Sequence, residues 1–325
     1  MNSPCLRDSV VRILPFAISA AALGFLPACP PPESPRDDPF LVGLSQRDVI
    51  HDGVVRQLRL FVPGQTLDAP PASVPLLLIL HGGGGDAALM ARITQFDALA
   101  QREGFIAAYP QGINGNWNDG RPELDNGVDD VGFIAAVIDE LAAEYPVDQL
   151  RVYATGLSNG GQMCFRLAFD LGERIAAVAP VAALLSAALA EREPPPSMPM
   201  LIIFGRDDPI TPFEGGTVGG DALSRGDVIS ADATRTFWIA ANGAVAAPTV
   251  EDLPDRDPLD GTRATRAVHT TGGGAASAEF QFITVDGGGH TWPGGAQYLP
   301  VLAIGRTSRD FSASEEIWRF VSSVR

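Results

Sequence analysis

A serine at a predicted sharp turn is the first residue of this sequence whose surroundings indicate chemistry. Ser158 lies in the segment 156–161, Gly-Leu-Ser-Asn-Gly-Gly, which follows the apolar run 151–154 and precedes an amphipathic stretch. A tight strand-to-helix turn needs small flanking residues, and it leaves the side chain at its apex exposed. This context favours a nucleophilic serine over a serine in an ordinary tight turn.

A histidine must activate such a serine, because the hydroxyl is too weak an acid to attack a carbonyl unaided. The chain contains four histidines and no lysine. The lack of lysine excludes a Schiff-base lysine, a P-loop lysine and a Ser-x-x-Lys pair. Where a serine occupies this kind of turn, the acid and the histidine follow it in the chain, which leaves His269 and His290. His269 lies in a predicted strand, whereas His290 lies in a glycine-rich loop, so His290 is the predicted base.

A carboxylate that orients the histidine is expected between these two residues. The apolar run 201–205 is followed by Arg206 and then by Asp207 and Asp208, and Pro209 fixes the turn that follows. The proline favours Asp208 over Asp207. The alternative is an exposed turn with two solvated aspartates, since Asp-Pro turns are common.

A second glycine-rich segment, His81 to Gly85, follows the predicted strand 76–80 and resembles the H-G-G-G loop of lipases and esterases. The amide of Gly83 or Gly84, together with that of Asn159, could hold the oxyanion, and each such donor lowers the barrier by about 3–4 kcal/mol. A phosphate-binding loop is the rival interpretation, and the absence of lysine argues against it.

Two tryptophans lie in loops rich in glycine and asparagine, which predicts that they line the substrate cleft. The predicted substrate contacts are therefore His81, Trp117 and Trp292, while Trp238 lies in an amphipathic stretch and is predicted to be core. The sequence contains neither a His-Glu-x-x-His pair nor a cysteine–histidine cluster, so no metal or other cofactor is predicted. Asp129 and Asp130 are predicted to cap a helix.

From residue 75 onward, continuous apolar runs alternate with amphipathic stretches, which predicts a mostly parallel sheet with helices on both faces. The predicted strands are 76–80, 105–109, 150–154, 175–181, 198–204 and 280–285, and the predicted helices are 86–102, 130–145, 160–171, 225–241 and 312–324. His51-Asp52-Gly53 predicts a hairpin between two earlier strands. Residues 243–275 are predicted to form a surface excursion, with a strand near His269.

The N-terminal segment reads as an export signal. Arg7 and Arg12 precede the apolar run 13–26, and residues 26–29, Leu-Pro-Ala-Cys, resemble a bacterial lipobox in which Cys29 would be lipidated. We therefore divide the chain into a signal (1–29), a proline-rich tether (30–40) and one catalytic domain (41–325), with an extracellular or cell-envelope location. Cys164 is predicted to be a small buried residue.

The charge balance excludes one class of partner. A net charge of −16 and a pI near 4.5 argue against nucleic-acid binding, which needs a positive surface.

Together these motifs resemble the family of polyhydroxybutyrate depolymerases and feruloyl esterases. The resemblance includes the loops around His81, Ser158, Asp208 and His290, and it also rests on Tyr109-Pro110-Gln111-Gly112 with Trp117. It implies a single α/β-hydrolase domain in which Ser158 is the nucleophile and His290 the base. It also implies that the acid is the aspartate directly before the proline, Asp208.

The resemblance implies a carboxylic ester as substrate, of the polyhydroxyalkanoate, feruloyl or acetyl type. Because the sequence shows no appended substrate-binding domain and no disulfide pair, we expect a small ester or an oligomer, such as a hydroxybutyrate oligomer, and not an insoluble polymer. Function still depends on the site itself. Two alternatives stay open at this point. One is a surface lipoprotein that binds a glycan or hydroxyalkanoate without turnover, and the other is a serine peptidase of the same fold.

Overall fold

The computed structural model describes residues 43–68, 72–195, 197–245, 247–270 and 279–324. These residues belong to one compact unit, Phe40–Arg325. The predicted signal (1–29), the lipidation site Cys29 and the tether (30–40) lie outside the described residues. None of the described helices is long and apolar enough to cross a lipid bilayer.

Ten strands form one sheet, and two short strands form a separate ribbon. The strands are β1 (Leu44–His51), β2 (Val54–Phe61), β3 (Val74–Leu80), β4 (Ile106–Pro110), β5 (Val147–Leu157), β6 (Ala177–Val181), β7 (Met200–Gly205), β8 (Gly216–Thr217), β9 (Asp227–Val228), β10 (Thr249–Asp252), β11 (Arg263–His269) and β12 (Phe280–Asp286). The large sheet has the order β1-β2-β4-β3-β5-β6-β7-β12-β11-β10, and β8 pairs with β9.

The six strands from β4 to β12 in this order are parallel, and antiparallel strands extend the sheet at both ends. This arrangement confirms the predicted α/β-hydrolase fold with its mostly parallel sheet. The segment predicted as a surface excursion, residues 243–275, supplies β10 and β11 at one edge of the sheet; β11 includes the strand predicted near His269, and β10 was not predicted.

Ten helices surround the sheet in the described part of the chain. They are α1 (Gly64–Asp68), α2 (Ala87–Thr94), α3 (Phe96–Glu103), α4 (Asp130–Glu144), α5 (Asn159–Asp170), α6 (Ala187–Ala190), α7 (Gly220–Leu223), α8 (Ala231–Ala241), α9 (Val301–Ile304) and α10 (Ala313–Ser323). The predicted helix 86–102 is two helices, because Gln95 adopts a left-handed φ of 55° between α2 and α3.

The central strands are buried on both faces, as their continuous apolar sequences predict. In β3, Leu76, Leu78 and Leu80 pack into one core with α4, α5 and α8, whereas Leu77 and Ile79 pack into a second core with α2, α3 and α10. The loops that follow the carboxyl ends of β3, β5, β7 and β12 carry the candidate site, which is where open α/β sheets bind their ligands.

Candidate active site

Ser158 forms the turn between β5 and α5, and its backbone has the unusual angles φ 56° and ψ −116°. The turn is held by a hydrogen bond from the Ser158 amide to the Val181 carbonyl at 2.9 Å. A Cβ at Gly160 would collide with the carbonyl oxygen of Leu80, and a Cβ at Gly156 would lie 2.5 Å from the Gly160 carbonyl. The glycines on both sides of the serine are therefore required by close approach of α5 to the strands.

His290 and Asp208 meet although they are distant in sequence. The His290 Nδ1 lies 2.7 Å from the Asp208 Oδ2, and both side chains are almost completely buried. The other carboxylate oxygen of Asp208 accepts hydrogen bonds from the amides of Ile210 and Thr211, each at 2.8 Å. Asp207 is exposed, so the geometry favours Asp208 as the residue that orients the imidazole.

Ser158 and His290 line the same cavity, which has a volume of about 340 Å³. Apolar side chains form much of its wall; they include Leu89, Met90, Ile210, Leu223, Leu299 and Ile304. Within the described part of the chain, the Ser158 hydroxyl makes no hydrogen bond, and the ring of His290 bonds to Asp208 alone. Catalytic hydrogen bonds are often long in a free enzyme and tighten when substrate binds.

The three candidate oxyanion donors differ in availability. The Gly84 amide donates to the Gly115 carbonyl at 2.7 Å and is therefore already used. The amides of Gly83 and Asn159 donate no hydrogen bond to any residue that the structure describes. Gly83 and Gly84 both line the cavity, so of these two glycines Gly83 fits the role and Gly84 does not.

His81 lines the cavity, but both of its ring nitrogens are used inside the protein. The Nε2 accepts a hydrogen bond from the Gly112 amide at 2.9 Å, which leaves the Nδ1 to donate to the Gly82 carbonyl at 2.9 Å. Burial lowers the pKa of His81. The ring therefore holds the glycine-rich loop in place and has no free nitrogen for the predicted substrate contact.

Trp117 and Trp292 do not line this cavity, contrary to the prediction from their loop context. Their side chains are 0% and 1% exposed. The Trp117 indole donates to the His81 carbonyl at 2.9 Å, and the Trp292 indole donates to the Ser314 hydroxyl at 3.1 Å. Both indole rings have a structural role, because each is buried and its N–H group donates a hydrogen bond to another residue of the protein.

Asn159 has a second use that its sequence position did not reveal. Its buried side chain accepts from the Trp117 amide at 2.8 Å and donates to the Trp117 carbonyl at 3.0 Å. It also donates to the buried Asp119 at 2.6 Å, and Asp119 pairs with Arg121. These bonds fix the residue that follows the serine to the loop after β4.

Besides the apolar residues of the cavity wall, the sequence analysis did not predict Tyr298 and Arg225, which bring polar groups to that wall. The Tyr298 hydroxyl donates to the His290 carbonyl at 2.9 Å, and burial raises the pKa of Tyr298. Neither residue belongs to a recognisable motif. The only signal for Tyr298 is its position eight residues after His290 in the same loop.

Three further predictions concern residues away from the cavity. Asp129 caps α4 by accepting from the Gly132 amide, as predicted, whereas Asp130 is buried against Arg56. Cys164 is buried as predicted, and burial raises the pKa of its thiol. His269 lies in β11 as predicted, and it is buried.

One group of potential metal ligands occurs among the described residues. His51, Asp52 and Asp129 bring three ligand atoms within 4.8 Å of one another on the surface of the protein. The Asp129 carboxylate is already engaged as a helix cap. None of these three residues lines the cavity that contains Ser158.

Comparison with known proteins places this geometry in context. No protein-family model matches the chain. The chain is 34% identical to NocK of Nocardia uniformis subsp. tsuyamanensis, a protein named as an esterase, and the match covers 95% of this chain and 96% of that protein. A poly(3-hydroxyalkanoate) depolymerase C from Paucimonas lemoignei is 32% identical over 34% of this chain and 28% of its own length.

Among solved structures, an acetyl xylan esterase from Aspergillus awamori superposes with a TM-score of 0.52. The superposition covers 76% of this chain and 94% of that protein, at 17% sequence identity. At this level of identity the likeness supports the fold alone.

Proposed function

The chain belongs to the polyhydroxybutyrate depolymerase and feruloyl esterase family of carboxylic ester hydrolases, and on this premise we propose that Ser158, His290 and Asp208 form its catalytic triad. The observation that carries the proposal is the 2.7 Å contact between His290 and Asp208 beside a cavity that Ser158 also lines. Such a buried acid–base pair next to a strained serine is the arrangement that acyl transfer needs.

In the proposed mechanism the His290 Nε2 removes the hydroxyl proton as the Ser158 Oγ attacks the ester carbonyl. The resulting oxyanion accepts hydrogen bonds from the amides of Gly83 and Asn159, neither of which donates to another described residue. His290 then donates its proton to the leaving alcohol, and an acyl-enzyme remains. Water, deprotonated by His290, releases the acid and restores the serine, while Asp208 stabilises the imidazolium in both halves.

The proposed substrates are soluble carboxylic esters of small or oligomeric size. A cavity of about 340 Å³ with a largely apolar wall can hold an acyl group of modest length, but it is too small to contact the surface of an insoluble polymer over a large area. Hydroxybutyrate or other hydroxyalkanoate oligomers and feruloyl or acetyl esters are all of this kind. A panel of these esters, compared by kcat/KM, would rank them.

We also propose that the enzyme is exported and that Cys29 attaches it to a membrane through a lipid. The support is the order of Arg7, Arg12, the apolar run 13–26 and Cys29 in the sequence. Cells expressing the full chain and fed radiolabelled palmitate are expected to label the wild-type protein and not Cys29→Ser. Equal labelling of both proteins would refute lipidation at this cysteine.

Substitution of the serine tests the catalytic proposal. Ser158→Ala is expected to lower the kcat/KM for a 4-nitrophenyl ester by at least about 10³-fold, because the nucleophile is lost. Ser322→Ala, which changes an exposed serine on α10, is the matched control and should retain activity. Wild-type turnover by folded Ser158→Ala would overturn the proposal.

Labelling by a fluorophosphonate gives a second readout. A fluorophosphonate reacts covalently with an activated serine, so wild-type protein should be labelled and Ser158→Ala should not. A protein that only binds its ligand would stay unlabelled in both forms. Comparison of ester with amide substrates separates the esterase from a peptidase, and we expect the ester to be preferred.

A further inference from the structure

A single arginine lies on the wall of the cavity that contains Ser158 and His290. We propose that Arg225 binds a carboxylate on the substrate, so that the enzyme prefers esters that carry a negative charge in addition to the scissile bond. The inference rests on the proposed function, because it assigns a substrate class to that same site. Arg225 would act as a specificity residue and take no part in the bond-breaking steps.

Arg225 is held in place by three hydrogen bonds. Its Nη2 donates to the Asn116 Oδ1 at 3.0 Å, and its backbone amide donates to the Val218 carbonyl at 3.0 Å. Its backbone carbonyl accepts from the Nη1 of Arg121 at 2.7 Å. Arg121 is itself buried and paired with Asp119. Two of these bonds fix the backbone of Arg225, and the bond to Asn116 restrains the guanidinium, which reduces the entropy lost when a ligand binds.

The guanidinium of Arg225 lies against the glycine-rich loop. A Cβ on Gly83 would collide with its Nη1, so the absence of a side chain at this position makes room for the cation. Gly83 is also the residue whose amide is proposed to hold the oxyanion. The positive charge is thus next to the reaction centre, within the space that an ester with a short charged substituent would fill.

Arg225 lacks the partner that other partly or fully buried arginines have. Arg56, Arg59 and Arg121 each pair with an aspartate at 2.5–2.6 Å. No carboxylate oxygen of a described residue lies within 4.0 Å of the Arg225 nitrogens, and its one side-chain hydrogen bond is to a neutral amide. Among the described residues, Arg92, Arg256 and Arg306 also have no carboxylate partner, but they are exposed, whereas Arg225 is half-buried on the cavity wall.

One carboxylate does share the cavity wall. Asp86 caps α2, where its Oδ1 accepts from the Leu89 amide at 2.7 Å. Because that charge is compensated by the positive end of the helix, it opposes an anionic ligand less than a free carboxylate would. The remaining wall is largely apolar. A carboxylate entering this cavity therefore has one complementary group, and a guanidinium binds it with two parallel hydrogen bonds.

The first experiment compares two acyl groups that differ only in charge. The substrates are the 4-nitrophenyl monoesters of adipic acid, which ends in a carboxylate, and of adipamic acid, which ends in a carboxamide. The measured quantity is the kcat/KM of the carboxylate ester divided by the kcat/KM of the carboxamide ester. Arg225→Gln is expected to lower this ratio by about ten- to hundredfold relative to wild type, the range for loss of one charged partner at a partly solvated site. Arg319→Gln, on the exposed surface of α10, removes the same charge and should leave the ratio unchanged.

A second pair of substrates places the charge on the alcohol. These are the acetate esters of 4-hydroxybenzoate and of 4-hydroxybenzamide. A drop in the ratio for this pair and not for the first would locate the carboxylate on the leaving group. A drop for the first pair alone would locate it on the acyl group. Either result supports the proposal.

A ratio that changes less than threefold for both pairs in Arg225→Gln would overturn the proposal. An equal loss of turnover on charged and neutral esters would also overturn it, because Arg225 would then only support the loop at Gly83. If Arg225→Gln does not fold, the wild-type ratio is measured from about 0.05 M to about 0.5 M salt, where screening should reduce a charge-based preference. A salt-independent ratio contradicts the proposal. Turnover by Ser158→Ala would instead refute the proposed function, whatever the ratios show.

Discussion

Replacement of Asp208 by asparagine is the sharpest test of the charge geometry beside the cavity. Asparagine keeps an oxygen for the amides of Ile210 and Thr211, so the turn after β7 should retain its hydrogen bonds. The atom that faces the His290 Nδ1 at 2.7 Å changes from a charged acceptor to an amide nitrogen, which can only donate. The variant therefore removes one charge and opposes the imidazole tautomer that carries its proton on Nδ1, while it preserves the shape of the site.

The expected loss follows from Coulomb's law. Opposite unit charges at the observed 2.7 Å separation attract by about 6 kcal/mol at an effective dielectric constant of about 20. This attraction is lost when the imidazolium forms in the transition state opposite an uncharged asparagine. Since about 1.4 kcal/mol corresponds to a factor of ten in rate, kcat/KM should fall by about 10⁴-fold.

The assay is hydrolysis of a 4-nitrophenyl ester by wild type, Asp208→Asn and Asp207→Asn, with thermal unfolding of each variant measured in parallel. Asp207→Asn makes the same chemical change one residue earlier on an exposed side chain, and its activity should stay within about twofold of wild type. A loss below tenfold in Asp208→Asn would refute the electrostatic reasoning. An equal loss in both variants would show that the turn as a whole, and not this contact, is responsible.

Three other substitutions test the parts that support the site. Burial lowers the pKa of the His81 side chain, so this residue binds a proton more readily in the unfolded chain than in the folded protein. The free energy of unfolding should therefore decrease as the pH falls below the ordinary pKa of 6.5. We expect the Tm of the wild type to fall more steeply between about pH 8 and about pH 5.5 than the Tm of His81→Gln. Tyr298→Phe removes the hydrogen bond to the His290 carbonyl and should cost about 1 kcal/mol of stability and about threefold to tenfold in kcat/KM; no change in either would show that Tyr298 does not position the histidine loop. Gly160→Ala places a methyl group in collision with the Leu80 carbonyl oxygen at the end of β3 and should cost about 3 kcal/mol in urea unfolding, whereas Gly64→Ala, whose methyl group would meet the Gln101 side chain at an ordinary 3.9 Å, should not.

Much of the fold follows from the sequence because the central strands are buried on both faces. Their apolar runs are continuous, and each predicted run from 76–80 to 280–285 overlaps an observed strand. The break at Gln95 was missed because a left-handed residue is usually glycine or asparagine, and glutamine gives no such signal. The edge strands β10 and β11 were harder to assign, since they have mixed polar patterns in a segment rich in proline and aspartate.

Some residues of the candidate site could likewise be predicted from the sequence, and others could not. Ser158, Asp208 and His290 were predictable because each is fixed by local backbone chemistry: a tight turn, a proline and a glycine-rich loop. The burial of Trp117 and Trp292 was not, because it depends on acceptors from other elements, the His81 carbonyl and the Ser314 hydroxyl. Arg225 and Tyr298 also lay beyond sequence reasoning, since only the folded loops bring them to the cavity wall.

The backbone conformation at Ser158 reduces the stability of the folded protein. Its dihedral angles, φ 56° and ψ −116°, are ones in which glycine rests easily and other residues do not, at a cost of about 1–3 kcal/mol. Variants selected for heat resistance alone would thus tend to accumulate glycine at position 158. If Ser158 is the nucleophile, as proposed, such variants would be stable and inactive, so a selection for thermostability needs an activity assay at every round.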